Sequence, residues 1–282
     1  MTPERMHAPA IRGRVRLASG LVLLCFVAMH LADLALGLSS IGTMDRARVW
    51  LLAPWQLWPC QVVLLGAAVA HAVLGLQALS ARRTLRLSRT DWVQLLLGLA
   101  IPPLIVAHVV ALQVASDLDQ AFDADYGFVL AVYWRYAPAY ALQQLAAVLA
   151  VYVHGVVGLQ AWLVLRPSWP RVAPLLSPVA FALPVLALLG FAQAGQEVLL
   201  RLDRESDWTA RVAANLDLLG SLRGRLDTIE DAVLLVYGAA LAMALLVLCA
   251  NLRRLRSRRT RPTKTALRDD WPAADFTGLR LA

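Results

Sequence analysis

The chain has 282 residues, 59% of them hydrophobic and 16% charged, with a mean hydropathy of +0.60; this is more apolar surface than a soluble domain hides, so lipid must cover part of it. The net charge of +8 and sequence pI ≈ 10.1 do not indicate a nucleic-acid partner, because the basic residues stand in short runs between long apolar stretches. Cys25, Cys60 and Cys249 lie far apart in apolar surroundings, which excludes a C-x-x-C motif and a disulfide framework and leaves them as expected packing residues.

Six windows are long enough to cross a bilayer. The first, Leu17 to Leu38, follows Arg12, Arg14 and Arg16; it is longer than a signal-peptide core and is read as a retained helix. Then come Leu57 to Leu79, Trp92 to Ala115, Tyr136 to Leu165, Val172 to Leu200, and Ala232 to Leu252. Pro102 and Pro103 in the third span, and Pro174, Pro178 and Pro184 in the fifth, predict kinks whose freed carbonyls neighbouring helices must satisfy. The expected organisation is an N-terminal tail (1–16), a six-helix membrane domain (17–252) with a connector at about 201–230, and a basic tail (253–282). Apolar residues at helical spacing make the connector either a surface helix or a solvated link.

With the N-terminus in the cytoplasm, 19 of the 27 basic residues and only a minority of the 19 acidic ones fall on the cytoplasmic side. The positive-inside rule then places both termini there, in a multi-pass membrane protein.

Ionisable residues within membrane helices are costly and usually functional. Four of the five histidines, His30, His71, His108 and His154, fall one in each of the first four spans. Counting at about 1.5 Å per residue from Arg82 and Arg166, His71 and His154 both lie roughly 16 to 18 Å in. His108 lies nearer the outer Asp117, and His30 is placed with it. Two levels of two imidazoles suit the axial ligation of two haems b, with His30 and His108 on the outer iron and His71 and His154 on the inner one. A zinc or copper site would bring cysteine or carboxylate partners to the same level, and none stands there.

An internal repeat supports the same arrangement. H-A-V-L-G-L-Q-A-L from His71 matches H-G-V-V-G-L-Q-A-W from His154, which suggests two related hairpins and a single bundle of the first four helices. Gly75, Gly155 and Gly158 offer room for a porphyrin, and Arg82, Arg83 and Arg166 are placed to pair with its propionates. Asp33 either orients the His30 ring or marks the helix end.

One histidine in each of four helices, with the R-x-x-S-G opening at Arg16, Ser19 and Gly20, resembles the dihaem cytochrome b anchor of succinate dehydrogenases and fumarate reductases. That resemblance implies ligand pairing between helices one and three and between two and four. H-L-A-D-L-A-L-G-L from His30, R-R-T-L-R-L from Arg82, Q-L-L-L-G-L-A-I-P from Gln94, H-G-V-V-G-L-Q from His154 and P-V-L-A-L-L-G-F-A-Q-A-G from Pro184 look like the membrane anchor of bacterial class III adenylate cyclases. In that family a plant-type 2Fe–2S ferredoxin module and the cyclase follow the anchor. The family often has a second histidine where this chain has Leu34, leaving His30 as the ligand candidate of helix one.

Neither a four-cysteine loop nor a domain with metal-binding aspartates follows the sixth span. The chain by itself is therefore expected not to make cyclic AMP, and to be a fragment, a truncated frame or a free-standing anchor. The resemblance implies electron transfer or sensing, exchange with quinone, and as partners the lipid bilayer, ferredoxin and cyclase modules or a dehydrogenase subunit, and a second copy of the chain. The competing readings are a succinate dehydrogenase-type cytochrome b subunit and a haem-free structural anchor or transporter.

Overall fold

The computed structural model describes residues 3–259. Helix α1 (Pro3–Ala35) runs unbroken from the basic N-terminal segment through the first span and closes in a 3-10 turn, Leu36–Leu38. Ser40 caps α2 (Ile41–Leu51): its Oγ accepts from Thr43 N at 3.1 Å, while Ile41 N donates to Glu197 Oε2 at 2.9 Å. Two first-turn N–H groups that a helix leaves unpaired are thus satisfied, one of them by a distant helix.

α3 (Ala53–Gln56) leads into α4 (Trp58–Ser80), whose first turn holds Pro59, where a missing N–H is harmless. α5 (Arg89–Val109) opens on a capping box in which Asp91 N donates to Ser88 Oγ at 3.1 Å and Ser88 N to Asp91 Oδ2 at 3.3 Å. It passes through a π turn, Val110–Val114, into α6 (Ala115–Leu118).

Asp125 caps α7 (Tyr126–Ala131) by accepting from Phe128 N at 2.6 Å. A second π turn follows at Val132–Tyr136, closed by Ala137 N donating to Val132 O at 2.7 Å. α8 (Pro138–Leu163), α9 (Trp169–Arg204) and α10 (Ser206–Arg259) complete the chain. Among the described residues no strand forms, and six helices are long and apolar enough to cross a membrane.

α1 packs on α4 and α5 on α8, giving two hairpins that meet where α1 touches α8; α9 closes against α1, and α10 against α4 and α5. A Cβ on Gly190 would fall on Leu34 O and within 3.1 Å of Ala35 Cα, so glycine is what lets α9 approach the end of α1. The end carrying Arg16, Arg82, Arg166 and Arg253 is called the basic end below, and the opposite one the acidic end. Most of the close-packed core lies toward the acidic end, where Ile41, Met44, Phe122, Phe128, Trp208 and Val212 are buried together. Along the spans large apolar residues face outward, among them Leu65, Phe181 and Leu235, as helices solvated by lipid require. Cys25 and Cys249 are also exposed and do not pack inside, contrary to the expectation from their apolar neighbourhoods.

The structure decides between the two readings of the connector. Residues 206–230 of the connector and the sixth span are one helix, separated from α9 by Glu205 alone, and that helix continues through the first basic residues of the tail to Arg259. No proline interrupts residues 206–259, and Trp208, Val212, Leu222 and Leu226 recur on one face and are buried. The helical alternative thereby gains the apolar contacts that a solvated link would lack. The expected linker beyond residue 259 lies outside the described residues.

The prolines leave α5 and α9 continuous. Pro103 cannot donate to Leu99 O, and the hydroxyl of Tyr237 on α10 does so instead at 2.7 Å.

Candidate functional site

The four membrane histidines meet in two pairs. The ring centroids of His30 (α1) and His108 (α5) stand 6.2 Å apart at an interplanar angle of 56°; those of His71 (α4) and His154 (α8) stand 6.0 Å apart at 88°. Two imidazoles on opposite faces of one metal ion, each with a metal–nitrogen bond of about 2 Å, have ring centres about 6 Å apart. Among the described residues no three histidine, cysteine, aspartate or glutamate side chains converge as a metal cluster, so each pair stands without a third ligand of these types.

The basic-end pair is held by the backbone. His71 Nδ1 lies 3.1 Å from Arg16 O and 3.4 Å from Ser19 Oγ, and His154 Nδ1 lies 3.0 Å from Gln94 O. A carbonyl oxygen only accepts, so Nδ1 carries the proton in both rings. Nε2 is then left as the lone-pair nitrogen, which is the state a metal-binding neutral imidazole needs.

Each contact is made one turn before a glycine. A Cβ on Gly20 would come within 2.9 Å of His71 Cε1, and one on Gly98 within 2.7 Å of His154 Cε1. The two hairpins therefore repeat one device, in which a glycine makes room for the ring of the facing helix and the carbonyl four residues earlier accepts a hydrogen bond from its Nδ1–H.

At the acidic end the support differs. His108 Nδ1 lies 3.0 Å from the Tyr133 hydroxyl. Burial, with a smaller contribution from Tyr140, holds that phenol protonated above its ordinary range. His30 stacks on Phe26 at 6.0 Å, and its Nδ1 is buried without a hydrogen-bond partner.

Asp33 does not bond to His30. It is fully buried and accepts from the Tyr126 hydroxyl at 2.7 Å, while its Oδ1 has no partner. Burial and the Asp33 carboxylate both push the Tyr126 phenol well above its usual pKa, so it stays a donor.

The glycines singled out in the sequence sit elsewhere. Gly155 accommodates Leu24 and Gly158 accommodates the Gln94 side chain, whereas a methyl group on Gly75 would meet nothing within 4 Å. Gln94 Oε1, beside Gly158, is buried and unpartnered. Arg83 and Arg166 are exposed and Arg82 partly so, and Arg166 lies over the Trp162 ring at 4.8 Å.

Sequence reasoning missed Tyr133, and took Gly20, Gln94 and Gly98 only as parts of motifs. A signal for the glycines was present, since Gly20 and Gly98 each precede a membrane histidine by ten residues. Nothing local marks Tyr133. The residues present fit two bis-histidine haems: the ring centroids of each pair stand at the required spacing, Nδ1 of His71 and His154 is bonded to backbone carbonyls, and Gly20 and Gly98 stand where bulk would displace those two rings.

No protein-family model matches the chain, and neither does any curated protein or solved structure.

Proposed function

We propose that this protein is a dihaem cytochrome b membrane module that passes or senses electrons across the bilayer and exchanges them with quinone. His71 and His154 would hold the iron nearer the basic end, and His30 and His108 the iron nearer the acidic end. The observation that carries the reading is the pair of imidazole–imidazole separations, 6.0 and 6.2 Å, with Nδ1 of His71 and His154 committed to backbone carbonyls. Haem, when bound, supplies reversible one-electron chemistry. The chain supplies ring orientation, exclusion of water from the apolar bundle, and cationic side chains at Arg82, Arg83 and Arg166 for the propionates.

In this reading the basic end faces the cytoplasm. α10, which runs from the acidic end to Arg259, is the element that reports to a cytoplasmic module. From the family resemblance we take that module to be a ferredoxin-linked nucleotidyl cyclase encoded with this anchor or beside it. An absorption spectrum and a pyridine haemochrome assay on the purified protein test the reading. Soret and alpha bands with two haems b per chain are expected, and a haem-free protein would overturn it in favour of a structural anchor or transporter.

A further inference from the structure

Among the described residues there are two π turns, and one hydrogen bond links the helix end before the first to the second. His108 sits two residues before the first, Val110–Val114, and Tyr133 belongs to the second, Val132–Tyr136. Inserting a π turn costs regular helix hydrogen bonds and rotates the following side chains, so such turns tend to occur where a side chain must be aimed. The second turn aims two. Tyr133 reaches His108, and Trp134 seats on α9 so closely that any side chain on Gly195 would overlap its indole. Phe191 of α9 packs on both rings, with centroids at 6.3 Å from Tyr133 and 5.6 Å from Trp134. The tyrosine is therefore locked from behind by α9 and has one function-bearing contact in front, the His108 ring.

We propose that Tyr133 is the positioning residue of the acidic-end haem: its hydroxyl oxygen accepts the His108 Nδ1 proton, presents Nε2 to the iron, and lowers the reduction potential of that haem alone. The inference rests on the dihaem reading given above. The physical reason is that an Nδ1–H donated to an acceptor makes the imidazole a stronger electron donor, which stabilises the oxidised iron. At the basic end backbone carbonyls do this for both rings, and no side-chain substitution removes them. At the acidic end His30 Nδ1 has no partner among the described residues, and Tyr133 is the one acceptor among them that serves this pair.

The test is Tyr133→Phe in the full chain, a change that keeps the ring packed on Phe191 and removes only the hydroxyl. Haem content is measured by pyridine haemochrome and the midpoints by potentiometric titration; Tyr152→Phe serves as the control, and His108→Ala identifies the acidic-end haem. The expected result is two haems per chain, with the midpoint of the acidic-end haem raised and the other unmoved, while Tyr152→Phe changes neither. Loss of the acidic-end haem alone is the stronger form of the same result. Two retained haems with unchanged midpoints, or a shift confined to the haem of His71 and His154, would overturn this inference and leave the dihaem reading standing. A parent protein without haem would overturn both.

Discussion

His154 Nδ1 lies 3.0 Å from the carbonyl oxygen of Gln94, four residues before Gly98, just as His71 Nδ1 lies 3.1 Å from that of Arg16, four residues before Gly20. Within each hairpin the ring's orientation is thus set by the backbone of the other helix. A substitution that moves either helix moves a candidate ligand.

If each pair shares one iron, its members must behave as one unit. His71→Ala and His154→Ala are each expected to remove one haem per chain, and the double variant no more, because a six-coordinate iron that loses either imidazole is weakly held. His30→Ala and His108→Ala should act the same way on the other haem, and one change from each pair should strip both. Haem counted by pyridine haemochrome checks this, and non-equivalence within a pair would contradict the arrangement.

The glycines give a steric test. Ala at Gly98 or Gly20 places a methyl group 2.7 or 2.9 Å from a histidine ring carbon, closer than side chains normally approach. Displacement of the ring should lower occupancy of the basic-end haem while leaving the acidic-end one intact. Gly220→Ala in α10 meets nothing within 4 Å, and should leave haem content unchanged and stabilise the helix by about 0.5–1 kcal/mol. Haem ratios and Tm in detergent distinguish the two classes.

Tyr237→Phe removes the donor to the Leu99 carbonyl and should cost about 0.5–1.5 kcal/mol. In a Pro103→Ala background, an alanine N–H competes for that carbonyl and the same change should cost less. A double-mutant cycle read by thermal unfolding measures the coupling, and additive effects would show that the hydroxyl does not compensate for the proline.

Orientation is tested by reporter fusions. The 19 of 27 basic residues assigned to one side predict cytoplasmic readout after Leu87 and Arg256, and periplasmic readout after Asp119 and Ser206. The opposite pattern would put the basic end, with His71 and His154, on the periplasmic side.

Six spanning helices and four histidines within them were legible in the sequence by itself, because hydropathy over about twenty residues and the cost of an ionisable group in lipid are local properties. The caps, Ser88 with Asp91 and Asp125 before α7, also act over three residues, but the sequence reading did not place them. Tertiary structure alone decided the rest. That His71 meets Arg16 O and Gly20, that Tyr133 reaches His108, and that Tyr126 takes the Asp33 carboxylate are contacts between residues many positions apart, set by how helices cross and leaving no periodic trace. Helix α10 lies between the two cases. Its apolar spacing was visible from Trp208 to Leu226, but whether those residues formed a helix or a solvated link depended on a buried surface to receive them, and only the packed acidic end provides one.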